Sequence, residues 1–201
     1  MDLPGYKYYI VNKPYNMVSQ FVSPDQVNLL GSLDFKFPEG IHAIGRLDNN
    51  SEGLLLLTNN KKITRLLFLG ERKHKRTYLV QVNNILSEAS LKRLQEGVII
   101  RVKKDESYLT PPCEVELVVH PEKSCPYIID LTGKYGPHTW LQITLTEGKY
   151  HQVRKMMAAV NHRCKRLIRI SIEDMLLGDL PPGAVKEIEE NDFFEKLKLL
   201  S

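Results

Sequence analysis

Hydrophobic and polar positions fall along this chain in short blocks with two distinct periods. Tyr6-Lys-Tyr-Tyr-Ile-Val-Asn12 is aromatic and β-branched, is stopped by Lys13-Pro14, and predicts a strand close to the start. Gly53 to Thr58 is a continuous apolar run of strand length, and Asn59-Asn60 offers a cap for a following helix. In that helix, Lys61 to Leu69, the residues Ile63, Leu66 and Leu67 make one apolar stripe, and Gly70 suits the position past its end. Arg76 to Val82 alternates as a strand does, with Tyr78, Val80 and Val82 on one face. Ser87 can cap a second helix that carries Leu91 and Leu94 and ends at Gly97.

Further strands are predicted at Val98 to Val102, Glu114 to Val119 and Thr139 to Leu145, with a Pro/Gly/Tyr-rich surface loop from His120 to Pro137. From His151 to Val160 the spacing of Val153, Met156, Met157 and Val160 predicts an amphipathic helix with Arg154 at the edge of its apolar face. Lys165 to Ile172 alternates again. Ile168, Ile170 and Ile172 are expected to face a core, and Lys165, Leu167 and Arg169 a basic surface. Pro181-Pro182-Gly183 then precedes a charged terminal helix bearing Phe193, Phe194, Leu197 and Leu200. Strands interrupted by a few helices, without regular alternation, predict an antiparallel-rich α+β domain rather than a doubly wound sheet.

Composition narrows the class. A chain of 201 residues with 42% hydrophobic content can bury one sizeable core, so residues 1–201 are expected to form a single domain, with room for two lobes. No apolar run approaches the roughly 20 residues of a membrane-spanning helix, and Met1-Asp2-Leu3-Pro4-Gly5 is not a secretion signal. A cytoplasmic location is the expectation. Cys113, Cys125 and Cys164 are odd in number and widely spaced, which fits reduced thiols rather than disulfides or zinc ligands. The chain has no His-Glu-x-x-His array, no Gly-Lys-Ser/Thr loop and no Gly-x-Gly-x-x-Gly, so neither a metal nor a nucleotide cofactor is expected.

The net charge of +4 is small but unevenly placed. One basic cluster is Arg72-Lys-His-Lys-Arg76; the other gathers Arg163, Lys165, Arg166 and Arg169. Charge alone is compatible with a solvated face and with a surface for a polyanion. Between β-like segments lies Ile44-Gly-Arg-Leu-Asp48, where Arg46 and Asp48 would share a side if the stretch were extended. A structural Arg-Asp pair in a turn completed by Asn49-Asn50-Ser51 is one reading, and a reactive acid is the other. Glu52 could face Asp48 only in a helix, and Glu147, beside a glycine before a helix, is more naturally a capping partner than a second acid.

These residues also carry a resemblance. Gly45-Arg-Leu-Asp48 with Ser51-x-Gly-Leu-Leu-Leu-Leu-Thr58 resembles the signature of pseudouridine synthases of the RsuA type. Tyr9-Ile-Val-Asn-Lys-Pro14 is similar to that family's first strand, and Arg76-Thr-Tyr-Leu-Val80 to its tyrosine-bearing strand. Glu147-Gly-Lys-Tyr-His-Gln-Val-Arg-Lys-Met156 resembles its late helical motif, and Arg166-Leu-Ile-Arg-Ile170 the strand after it. The five segments stand in the family's order.

The resemblance implies an α+β catalytic domain with a mixed, largely antiparallel sheet, flanking helices and two lobes around a cleft. It implies isomerisation of a uridine in RNA without metal or cofactor, with Asp48 as the essential aspartate, a side chain able to act as nucleophile or base. Arg46 is expected to prop the stack that the flipped base vacates, Tyr78 to stack on the uracil, Arg154 to pair with the aspartate, and Leu167 to line the pocket. Many members carry an N-terminal S4-type RNA-binding module, and none is expected here. RNA contacts are then expected from Arg72, Lys73, Lys75, Arg76, Arg163, Lys165, Arg166 and Arg169. Arg76 stands where the family usually has lysine, and Asn161 where a glycine often ends the late helix. Short members point to one uridine of 23S (large-subunit) ribosomal RNA, modified by a monomer. A target in 16S ribosomal RNA or tRNA would give the same motifs, and a non-catalytic RNA-binding or ribosome-assembly module is the alternative of a different class.

Overall fold

The computed structural model describes residues 5–68, 70, 72–128 and 136–199. In chain order the elements begin with β1 (Tyr8–Lys13), β2 (His42–Ile44), β3 (Glu52–Thr58) and α1 (Ile63–Phe68). Next come β4 (Arg76–Asn83), α2 (Glu88–Glu96), β5 (Ile99–Lys103), β6 (Glu106–Leu109), β7 (Glu114–Leu117), β8 (His138–Leu145) and α3 (Gln152–Ala159). β9 (Cys164–Ile172), β10 (Met175–Leu176), β11 (Val185–Ile188) and α4 (Glu190–Lys196) follow. They divide between two compact units, Met1–His74 with Arg169–Ser201, and Lys75–Ile168, so β9 begins in the second and ends in the first.

In the first unit all six residues of β1 are buried, and from Gly53 to Thr58 so is β3. A strand covered on both faces has no polar side to alternate with, which is why Leu54 to Leu57 reads as an unbroken run. The two strands pair antiparallel from Tyr8↔Thr58 to Lys13↔Gly53; β11 flanks β1 and β2 flanks β3, also antiparallel. Helix α4 lays Phe193 on Tyr8 with ring centroids 4.5 Å apart, while the Tyr8 hydroxyl donates to Glu190 at 2.8 Å. The expected packing role of the terminal helix is met by Phe193 and Leu197, both fully buried; Leu200 lies outside the described residues. Asn60 caps α1 by accepting from the Lys62 N–H at 3.1 Å. Within α1 the apolar stripe is narrower than expected. Ile63 and Leu67, one turn apart, are buried, whereas Leu66 is largely exposed, and Leu69 lies outside the described residues.

In the second unit β4 pairs with β8 and β8 with β7, all antiparallel, and β5 with β6 forms a separate hairpin. Val80, Val82, Leu141 and Ile143 from the strands meet Leu94 of α2 and Val153, Met156 and Met157 of α3 in one core, with Tyr78 packed at its edge. Helix α2 starts and stops where expected. The Ser87 hydroxyl accepts from the Ser90 N–H, and Gly97 ends the helix at φ 102° and ψ 148°, a backbone shape open almost only to glycine. Asn161, past the end of α3, takes the left-handed conformation at φ 63° that asparagine tolerates.

Four short strands escape the hydrophobic pattern: β2, β6, β10 and β11. β6 is four residues long and mostly exposed, so its Tyr108 and Leu109 make no alternating buried face to read. The expected surface loop of residues 120–137 is anchored rather than free where it is described, because Pro121, Cys125 and Ile128 are buried; residues 129–135 lie outside the description. All three cysteines are free thiols, and burial pushes those of Cys113 and Cys164 up to about 11, far from thiolate at neutral pH. Among the described residues no helix is long and apolar enough to cross a membrane.

Candidate active site

Residues 45–51 are a loop that belongs to no strand. Gly45 breaks β2 with φ 70°, and a Cβ built on it would stand 2.6 Å from the ring of Phe68 at the end of α1. The chain therefore turns with a ring packed against a residue that has no side chain. Arg46 emerges exposed, Leu47 is buried, and Asp48 is half-buried, with its carbonyl accepting from the Ser51 N–H at 3.0 Å.

Two buried polar residues hold this loop, Lys13 at the end of β1 and Ser19 in the segment after it. The Ser19 hydroxyl accepts from the Leu47 N–H and donates to the Leu47 carbonyl, each at 3.0 Å, so both backbone polar groups between Arg46 and Asp48 are satisfied by one side chain. Lys13, with no exposed surface, donates its ammonium to the carbonyls of Met17 at 2.6 Å, Pro14 at 2.9 Å and, at the limit of contact, Asn49 at 3.5 Å. The Asn49 amide also reaches the side-chain oxygen of Asn16 at 3.2 Å. Burial pulls the lysine down to about 8, opposed by the carboxylates of Glu52 and Asp48 and reinforced by the nearby Arg169. Neither Lys13 nor Ser19 was a site candidate by sequence. A lysine ending an aromatic and β-branched strand just before proline was the available signal for Lys13; Ser19 had none.

Arg169 corrects an expectation. It is 2% exposed and its Nε donates to the Leu54 carbonyl at 2.8 Å, so it is part of the first unit's interior and not of an RNA-facing surface. Alternation in β9 failed as a guide because Leu167, Ile168 and Arg169 are all buried, on both sides of the strand.

In the second unit, Tyr78 lies half-buried on β4 opposite Ile143 of β8. Arg154 is half-buried on the first turn of α3, its Nη1 donating to the Cys164 carbonyl at 3.5 Å. With Ala158, Asn161, His162, Arg163 and Cys164 it lines an open pocket of about 310 Å³. Leu167 is buried in the core of this unit. Glu147 is a structural acceptor, as its place before a helix suggested: it receives the Tyr108 hydroxyl and the Gln152 amide, each at 2.6 Å.

The basic clusters divide by exposure. Arg72, Lys73, Lys75, Arg163 and Lys165 are exposed. Arg72 donates to the Lys198 carbonyl at 2.9 Å, and Lys75 pairs with Glu114 at 2.8 Å in water, where such a pair adds little stability. Arg76 and Arg166 are half-buried, the Arg76 guanidinium resting against Gly148, and His74 is buried with its Nδ1 3.3 Å from Glu173.

A profile of the RNA pseudouridylate synthase family matches residues 7–159. The chain belongs to that family. Pseudouridine synthases are isomerases, and the mixed sheet with its flanking helices is their fold. The chain is 38% identical over 192 residues to the ribosomal large subunit pseudouridine synthase E of Vibrio parahaemolyticus, covering 94% of this chain and 76% of the relative. It is 29% identical over 189 residues to the ribosomal small subunit pseudouridine synthase A of Escherichia coli K12, covering 94% and 73%. A crystal structure of a pseudouridylate synthase superposes with a TM-score of 0.75 at 26% identity, covering 98% of this chain and 76% of the other.

The Lys13 clamp makes a prediction about this synthase. Below about pH 8 folded and unfolded chains both hold the Lys13 proton; between about 8 and 10.5 only the unfolded chain does. Unfolding then takes up a proton, so this group makes stability rise with pH across that window, by about 3 kcal/mol in all. Urea unfolding of wild type and Lys13→Met at several pH values should give a stability difference that is flat below 8 and grows above it. A pH-independent difference contradicts the buried, charged state of Lys13.

Proposed function

We propose that this pseudouridine synthase modifies one uridine of large-subunit ribosomal RNA, acting as a monomer in the cytoplasm and through a single catalytic domain made of both units. The observation that carries the choice of RNA is the relative named for the large subunit, at 38% identity over nearly the whole chain, against 29% for the one named for the small subunit. Target choice in such an enzyme resides in loops and surfaces, and overall identity is the measure that pools them.

The reaction breaks the bond between uracil N1 and ribose C1′, rotates the base and forms a bond from C5 to the same carbon. The C5 proton leaves and N1 gains one, so substrate and product are isomers and no oxidant or cofactor is required. Asp48 is the group we assign to this chemistry. Its carboxylate can add to the nucleoside or accept the proton, and its loop is fixed by Ser19 and Lys13 at the distances given above. Arg46, exposed beside it in sequence, fits the task of filling the space left by a flipped base, a step needed because a stacked uridine hides its reacting atoms. Tyr78 offers a ring for the uracil, Arg154 is the cation assigned to keep the aspartate ionised, and Leu167 offers an apolar wall.

The exposed Arg72, Lys73, Lys75, Arg163 and Lys165 are assigned to phosphates, with Arg76 and Arg166 supporting them from half-buried positions. Arg169 has no part in this set.

Pseudouridines mapped as carbodiimide adducts in ribosomal RNA and tRNA, from cells with and without the gene, should differ at one large-subunit uridine. A site lost from small-subunit RNA or tRNA instead overturns the choice of RNA. For the basic surface, Lys73→Ala with Lys75→Ala should weaken RNA binding and flatten the plot of log affinity against log salt by about 0.7 to 0.9 per lost phosphate contact. An unchanged slope returns those lysines to a solvated face.

A further inference from the structure

Tyr150 is 72% exposed, an unusual placement for a large ring on a well-built loop. Its ring stacks on that of His151, with centroids 3.9 Å apart and planes 17° from parallel. The Lys155 ammonium lies 5.3 Å from the Tyr150 centroid, within the range of a cation–π contact. Lys149, the preceding residue, is exposed and holds its ammonium 4.7 Å from the Tyr108 ring.

The backbone beneath is tied down. Glu147 accepts from Tyr108 and Gln152, Gln152 accepts from the Lys149 N–H at 2.8 Å, and the Gln152 N–H returns to the Lys149 carbonyl at 3.0 Å. These bonds tie down the backbone of residues 147–152, and the stack on His151 sets the plane of the Tyr150 ring. An exposed π-face with an ammonium beside it and a second on the neighbouring residue is poor surface chemistry for a protein that leaves it bare. It suits a planar partner that carries negative charge.

We propose that Tyr150 and His151 form a stacking platform for an unpaired nucleobase of the substrate RNA, with Lys149 and Lys155 facing the adjoining phosphates. Stacking tolerates any base, whereas the ammonium groups require the polyanionic backbone, and the pairing of the two selects single-stranded RNA over an apolar or acidic protein surface. The platform supplies grip on the strand and takes no part in the isomerisation. It rests on RNA being the substrate and is independent of which ribosomal RNA contains the target.

The test is the affinity of the full chain for a labelled uridine-rich single-stranded oligoribonucleotide. Tyr150→Ala and Tyr150→Leu should each bind roughly 5- to 100-fold more weakly than wild type, while Tyr150→Phe stays within about twofold. In Tyr150→Trp, the introduced indole should lose fluorescence on titration with the same RNA, over the constant background of the buried Trp140. Equal affinities for wild type and Tyr150→Ala, no measurable wild-type binding, or an unquenched indole would each overturn the platform. Because the probe contains no ribosomal target, these results stand apart from the mapping that decides the large-subunit assignment.

Discussion

An ammonium with no access to water must be enclosed by oxygen, and that demand on Lys13 organises the ground on which Asp48 stands. The lysine ends a strand that is buried along its whole length, so no water reaches it from that side. The carbonyls of Pro14, Met17 and Asn49 supply the oxygens, which obliges the chain after β1 to curl back and the loop after β2 to approach. Ser19 completes the junction by satisfying both backbone groups of Leu47. A catalytic aspartate on a loop is useful only if the loop does not wander, since small displacements of a reacting group cost large factors in rate. Here a buried charge and a buried hydroxyl provide the rigidity that a loop lacks by itself.

A second, separate clamp fixes residues 147–152, and its chemistry differs. There a carboxylate, Glu147, gathers donors from Tyr108 and Gln152. The two clamps share a logic. In each, a charged side chain serves the structure around it: Lys13 reaches the loop that carries Arg46 and Asp48, and Glu147 holds the turn that carries Tyr150. Glu147 thus serves geometry rather than acid–base chemistry, which leaves Asp48 as the carboxylate assigned to the reaction.

Where hydrophobic period and burial agree, the pattern of residues was sufficient. The unbroken leucines of β3, the Ser87 and Gly97 ends of α2, the stripe of α3 and the face shared by Tyr78, Val80 and Val82 were all legible. The pattern failed in two opposite circumstances. β6 is too short and exposed to show an alternating face, and the middle of β9 is buried on both sides, which removes the alternation that would have shown Arg169 to be interior. The site followed the same rule. Motif order pointed to Asp48, Arg46, Tyr78 and Arg154, but no local pattern could show that β2 would end at Gly45 with a positive φ, or that Ser19, remote in sequence, would hold the loop that follows. Those are tertiary hydrogen bonds, and a linear chain gives them no period.

The central claim is that Asp48, held on this pinned loop, performs the isomerisation. Purified wild type and Asp48→Asn, matched in size and lacking only the charge, can be compared on large-subunit ribosomal RNA by pseudouridine formation and by RNA binding in parallel. The account predicts that Asp48→Asn binds RNA within a few-fold of wild type and forms no detectable pseudouridine. Full modification by Asp48→Asn would contradict it.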